Sequence, residues 1–269
     1  MSLLSQLMRL PYVQGLWMRF PIGTVPDKVE YGIYPYAHYA YGVYWSAQLA
    51  SRLGIPRITA IEFGVAGGRG LVALETCAAE IGDALGVTID VVGFDAGVGM
   101  PPPVDYRDLP HVWGQGFYKM DEARLRARLT RAKLILGNVS ETVPAWLRTV
   151  TAPIGFVAFD LDYYSSTKEA LKIFEGSEAT HLPRVHCYFD DLGCTNIGVM
   201  NRYVGEHLAI DEFNAAHPDR KVCPIEQLRI NRYRWENWQD RMYGFHNFSH
   251  ALYTRHLMPS TARHTQLPL

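Results

Sequence analysis

Short apolar runs that stop abruptly at an acid or a glycine recur along this chain, and stretches of helical periodicity separate them. The runs cover residues 58–63, 87–94, 132–137, 154–159 and 185–189. Each is short, rich in branched and aromatic side chains, and reads as a buried strand. Between them, apolar residues recur at i, i+3 and i+4. This spacing predicts a helix over 41–53 (Tyr41, Tyr44, Trp45, Leu49, Leu53) that closes at Gly54 with Pro56 beyond, and an amphipathic helix over 71–81. A basic-faced helix is expected over 121–131. Another is expected within 192–213 (Val199, Tyr203, Leu208, Ile210, Phe213), with a stop signal over 214–218. Strands alternating with helices predict an α/β protein with a doubly wound, mostly parallel sheet. Beyond residue 224 the alternation of apolar and polar positions suits antiparallel strands that close it. Leucines and methionines dominate residues 1–20, where Pro11 predicts at most a short helix followed by an extended arm.

The chemistry sits where the apolar runs end. After the first run comes Gly64-Val65-Ala66-Gly67-Gly68, with a helix opening near Arg69. A strand, a glycine turn and the free N–H groups of a helix N-terminus make a nucleotide-binding edge. Gly68-Arg69-Gly70-Leu71-Val72-Ala73 also satisfies the dinucleotide string G-x-G-x-x-A, but that motif should begin at the strand's end, and Gly68 comes later. Glu62, two residues before Gly64, would crowd a pyrophosphate yet suits a cationic or hydroxyl-rich ligand. The second run ends in Asp95, where such folds place the acceptor for ribose hydroxyls. Residues 96–120 read as a long loop of the kind that carries substrate contacts. Asn138, Val139 and Ser140 follow the third run; Ser140 is expected to cap a helix, and Asn138 and Ser140 read equally as plain turn and cap residues. The fourth run ends in Asp160 and Asp162, the fifth in Asp190 and Asp191. Parallel neighbours bring these carboxylates to one sheet edge, where they repel one another unless protons or a cation neutralise them. A hard divalent ion with oxygen ligands, Mg²⁺ above all, answers that need.

With 269 residues, 48% of them hydrophobic, the chain can bury one sizeable α/β core. A formal net charge of −1 gives no reason to expect nucleic acid or an anionic membrane as the main partner. Cys77, Cys187, Cys194 and Cys223 lack paired or metal-site spacing, no apolar run reaches the ~20 residues of a membrane span, and the first residues lack the features of a secretory signal. A cytoplasmic protein is expected. Tyr31, Tyr34, Tyr36, Tyr39, Tyr41, Tyr44 and Trp45 concentrate aromatic rings with polar tips in one segment, suited to a half-buried pocket wall or interface.

The ordered set of strand-end signals resembles the class I S-adenosylmethionine-dependent methyltransferases, whose first motif is a strand ending in E/D-x-G-x-x-x-G. More narrowly it resembles the metal-dependent O-methyltransferases of macrolide and aminocoumarin sugars. The tracts that carry this are Phe94-Asp95 followed by Pro101, Gly137 followed by Thr142-Val143-Pro144, and Asp160-x-Asp162-x-Tyr164-x-Ser166-Thr167. The chain departs from that family in reading Asp160-Leu161-Asp162 where Asp-Gly-Asp is usual. The resemblance implies a Rossmann-like seven-stranded sheet with an antiparallel C-terminal strand. It implies S-adenosylmethionine held by Glu62, Gly64, Val65, Gly67, Gly68, Asp95, Asn138, Val139, Ser140 and Asp160. It further implies Mg²⁺ on Asp160, Asp190 and Asp191, with Asp160 and Asp162 catalytic and Asp162 the candidate base, His186 or His246 being alternatives. The expected acceptor is a small-molecule hydroxyl, on a sugar or a phenol. An NAD(P)-dependent oxidoreductase and a methyltransferase fold serving only as a binding module are the competing readings. The expected organisation is an aromatic arm and helix over 1–54 (lid, substrate wall or dimer contact), the methyltransferase domain over 55–257, and a loose tail over 258–269. A homodimer through residues 1–45 is the expected assembly.

Overall fold

The computed structural model of the chain describes residue 7, residue 10 and residues 12–193, 200–232 and 234–257. The expected loose tail over 258–269, Cys194 and Val199 lie outside them. Among these residues the α-helices and strands follow in this order: α1 (Val13–Arg19), α2 (Val25–Glu30), α3 (Ala37–Leu53), β1 (Arg57–Phe63), α4 (Arg69–Leu85), β2 (Thr88–Asp95), α5 (Glu122–Arg126), β3 (Lys133–Leu136), α6 (Val139–Leu147), β4 (Ile154–Phe159), α7 (Tyr164–Leu171), β5 (His181–Phe189), α8 (Gly205–Ala216), β6 (Arg220–Pro224), α9 (Leu228–Asn231) and β7 (Met242–Asn247). The strands form one seven-stranded sheet in the order β3-β2-β1-β4-β5-β7-β6. The first five are parallel, and β7 runs antiparallel to both β5 and β6. The order reverses between β1 and β4, which is where open α/β sheets leave a crevice at their carboxyl edge.

Register across the sheet is marked by a row of rings. Phe94, Phe63, Phe159 and Phe189 are the last phenylalanines of β2, β1, β4 and β5, and they are direct cross-strand partners. Their centroids lie 4.8, 5.4 and 4.5 Å apart in that order, all stacked. On the opposite face at the preceding level stand Glu62, Gly93, Ala158 and Tyr188, covered by α3 and α4. Because side chains alternate along a strand, the residues after the phenylalanines (Asp95, Gly64, Asp160 and Asp190) emerge at one level of the carboxyl edge.

Several boundaries differ from those the sequence predicts. Where an extended arm is expected after Pro11, the chain forms a helix at Val13–Arg19, since a proline is tolerated just ahead of a first helical turn; the short helix expected before Pro11 falls largely outside the described residues. The basic helix expected over 121–131 is only Glu122–Arg126. It stops because the Glu75 carboxylate accepts the backbone N–H groups of Thr130, Arg131 and Ala132 and bends the chain into β3. The helix expected within 192–213 begins only at Gly205 (φ 55°) and runs to Ala216. The cap of α6 is Asn138, whose side chain accepts the N–H of Ser140 at 3.0 Å, so Ser140 is already inside the helix.

Candidate active site

The glycine turn is shaped by what lies against it. Gly64 has φ 83°, and a Cβ there would collide with the backbone carbonyl of Asp160, so β1 and β4 diverge around a residue that has to be glycine. Gly70, in the first turn of α4, lies against the Glu62 carboxylate, which a methyl group would displace. Glu62 is 2% exposed. Its Oε1 accepts the Tyr39 hydroxyl at 2.7 Å, and its Oε2 is buried without a hydrogen-bond partner. Burial, with the charges of Asp160 and Asp95 added, pushes its pKa up to about 8 against the lowering effect of the Tyr39 bond. A ligand bringing a positive charge or a donor to this carboxyl satisfies an atom the protein leaves bare. Asp95 closes the other side of the turn: Oδ2 accepts the N–H of Ala66 at 2.8 Å and Oδ1 that of Gly97 at 2.6 Å. Val65 is buried, Gly67 has open space beside it and Gly68 faces Leu125. Asn138, Val139 and Ser140 lie across β2 from this turn, at the start of α6 beside β3.

Three carboxylates meet at the ends of β4 and β5. One oxygen each of Asp160, Asp190 and Asp191 lies within 4.8 Å of the others, close enough for a single cation to touch all three. Asp160 is exposed to solvent, with protein atoms crowded around it. Its pKa is pushed up to about 8, by burial and then by the charges of Asp191 and Asp190, with Arg241 opposing. Asp190 Oδ1 accepts both the Tyr188 hydroxyl at 2.6 Å and Arg241 Nη1 at 3.0 Å, so its position is set before anything binds. Asp162 is 8% exposed and has φ 58°, a left-handed backbone that Asp tolerates better than most residues. Its N–H donates to Asp191 Oδ2 at 2.8 Å. Burial and the charge of Asp191 raise the Asp162 carboxyl, and the two side chains share a hydrogen bond. An all-oxygen donor set, crowded enough to hold protons near neutral pH, fits a hard divalent cation.

Aromatic side chains from two segments lie within the electrostatic reach of this cluster. Tyr36, ahead of α3, feels Glu62, Asp160 and Asp190, while Tyr118, at the end of the 96–120 loop, feels Asp162, Asp191 and Asp160; burial comes first in raising both phenols. The His38 ring lies 4.1 Å from that of Tyr188, tilted by 31°. The loop carrying Tyr118 is tied down by Asp108, fully buried, which accepts the N–H of Val104 and both the N–H and hydroxyl of Ser165. His186 and His246 do not join the acids. His186 bonds Ser46 and is pushed down to about 4 by burial, and His246 bonds the Tyr253 hydroxyl. Sequence reasoning names the acids but misses their holders: Tyr39 as a partner of Glu62, Tyr188 and Arg241 on Asp190, and Glu206, whose Oε2 accepts the Asp191 N–H at 2.9 Å. The tyrosine cluster signals Tyr39 only as one ring among several. Periodicity says nothing of which side chains meet across such distances.

A strand order 3-2-1-4-5-7-6 with β7 reversed, and a glycine turn and acids at the carboxyl edge, define the class I methyltransferase fold. Among solved structures, the O-methyltransferase NovP matches 78% of this chain over 80% of its own, with 15% identity and a TM-score of 0.51. The calicheamicin methyltransferase CalS11 matches 78% of this chain over 80% of its own at 23% identity and a TM-score of 0.47. No family model matches the sequence, and neither does any curated protein.

Proposed function

We propose that this protein transfers a methyl group from S-adenosylmethionine to a hydroxyl oxygen of a small molecule, with Mg²⁺ at the carboxylate cluster. The observation that carries the reading is the meeting of Asp160, Asp190 and Asp191 within 4.8 Å next to a glycine turn whose acid, Glu62, keeps a bare buried oxygen. Glu62, Gly64, Val65, Gly67, Gly68 and Asp95 would hold the methyl donor, with Asn138, Val139 and Ser140 near its base and Asp160 at the junction of the two sites. Asp160, Asp190 and Asp191 would hold the cation. When bound, the cation makes an acceptor hydroxyl more acidic and the sulfonium supplies the methyl group.

The rest belongs to the chain's own side chains. Tyr188 and Arg241 fix Asp190, and Asp191 fixes the backbone of Asp162, so the acceptor meets acids already in place. The Asp162 carboxyl would take the acceptor's proton once the neighbouring charges no longer oppose its ionisation. Tyr36 and Tyr118 lie near enough to the cluster to feel its charges, and two such rings suit an acceptor with a flat or ring-shaped body, a sugar or a phenol. For the assembly, the exposed apolar residues Leu16, Phe20 and Ile22 near the N-terminus support a dimer through residues 1–45, which light scattering on a sizing column would reveal.

The test is calorimetry of purified protein with S-adenosylmethionine, in Mg²⁺ and then in EDTA, with NAD⁺ as the control ligand. Micromolar binding of S-adenosylmethionine, with a Mg²⁺ heat that disappears in Asp160→Ala, is the expected result. Preference for NAD⁺ would overturn the donor assignment. A Mg²⁺ heat unchanged in Asp160→Ala would remove the cation from the cluster.

A further inference from the structure

The cation-sized cluster leaves out the most deeply buried acid at this edge. Glu206 is 0% exposed, and its oxygens are not among those that meet at Asp160, Asp190 and Asp191. It stands in the first turn of α8, where a carboxylate ordinarily serves its own helix as a cap. This one makes no such bond. Val204 is the cap residue, without a side-chain bond of its own, and Glu206 Oε2 reaches out of the helix to accept the N–H of Asp191 at 2.9 Å. The next residue, His207, brings Nε2 to the carbonyl of Leu192 at 3.3 Å. One helical turn therefore grips the 190–192 turn at two consecutive residues. The grip is handed on, because Asp191 Oδ2 in turn accepts the N–H of Asp162 at 2.8 Å and holds that residue at φ 58°.

Full burial of a carboxyl group is costly when one oxygen goes unpaired, and Glu206 Oε1 has no partner. Packing alone gives no reason to keep such a residue; an apolar side chain of the same size would be cheaper. We propose that Glu206 is a positioning residue for the cation cluster. Through the Asp191 amide it sets the direction of the Asp191 carboxylate toward Asp160 and Asp190, and through Asp191 it sets the backbone of Asp162. The inference rests on the reading of Asp160, Asp190 and Asp191 as a divalent-cation site.

The experiment uses the full chain and two readouts. Amide hydrogen exchange over residues 186–193 is followed in EDTA, and Mn²⁺ affinity is measured by electron paramagnetic resonance. In E206A the Asp191 amide should exchange about tenfold faster or more, and Mn²⁺ affinity should fall by about 10–100-fold, as expected for loss of a residue that orients a ligand. S-adenosylmethionine affinity, measured in EDTA, should stay within about twofold of the parent protein, since Glu206 bonds the Asp191 amide and none of the residues assigned to the donor. E206Q, whose amide carbonyl can accept the same N–H, should recover both readouts. If E206A does not fold, E206D withdraws the acceptor by one methylene and is compared with E206Q in its place. A folded E206A that binds Mn²⁺ as tightly as the parent, or an E206Q as impaired as E206A, would overturn the proposal while leaving the cation site standing. Parent protein that binds no Mn²⁺ at all would overturn both, and that outcome is visible before any variant is made.

Discussion

Tyr39 and Glu62 show how much of this site depends on single atoms. The tyrosine reaches from α3 into the space under the α4 N-terminus and donates to one carboxyl oxygen, while the other is left bare. Tyr39→Phe would strip the remaining partner from a group 2% exposed. That should destabilise the protein by about 1–3 kcal/mol and weaken S-adenosylmethionine binding, because nothing would then fix the Glu62 rotamer. Urea denaturation and calorimetry check the two effects separately. An unchanged stability would mean that water enters and replaces the phenol.

At the scale of elements, the phenylalanine row and the 96–120 loop do different work. Phe159 sits between Phe63 and Phe189, fully buried, with Phe174 against it on the helical side. Phe159→Ala should cost about 3–5 kcal/mol, measured by denaturant unfolding; a loss under about 1 kcal/mol would show that the neighbouring rings close the gap. The loop is tied to α7 by Asp108, through its two bonds to Ser165, and by Arg107 on Tyr164. Asp108→Ala should therefore raise the KM for the acceptor while leaving S-adenosylmethionine affinity near that of the parent. An acceptor KM that stays put would separate Tyr118 from acceptor binding. The strands were legible in the sequence because each apolar run stops at a residue of different chemistry, and that same stop located Glu62, Asp95, Asp160 and Asp190. What decides the remaining boundaries is not local. The helix at 122–126 ends because Glu75, on another helix, takes three amides, and α8 begins late, next to the turn its own Glu206 holds. Hydrogen bonds between side chains far apart in sequence leave no period to read, so the holders of the acids stayed hidden while the acids did not.

Across the whole molecule, the crowded acids couple stability to pH. Glu62 and Asp160 have folded-state pKa values pushed up to about 8, above the roughly 4 of an unfolded carboxyl. Between those values the folded protein keeps protons that the unfolded chain has released, so this contribution is fully present below about pH 4 and is lost as pH rises through about 8. In EDTA, Tm should fall between pH 6 and pH 9, and Glu62→Gln should flatten part of that slope. Mg²⁺ should lift Tm most at the alkaline end. A Tm that climbs with pH in EDTA would contradict the protonated edge. No helix among the described residues is long and apolar enough to cross a membrane.

The stacked row of Phe94, Phe63, Phe159 and Phe189 also works as a common ruler. Each strand delivers its edge residue one step beyond the same mark, so placement errors do not accumulate from strand to strand. The donor turn on β1 and the acid pair on β5 are thereby gauged against each other through β4. On the proposed reading, acceptor recognition falls instead to Tyr36 and the 96–120 loop, both outside that ruler. Exchanging those segments for others would re-address the protein to a new acceptor without recalibrating the edge at which the chemistry takes place.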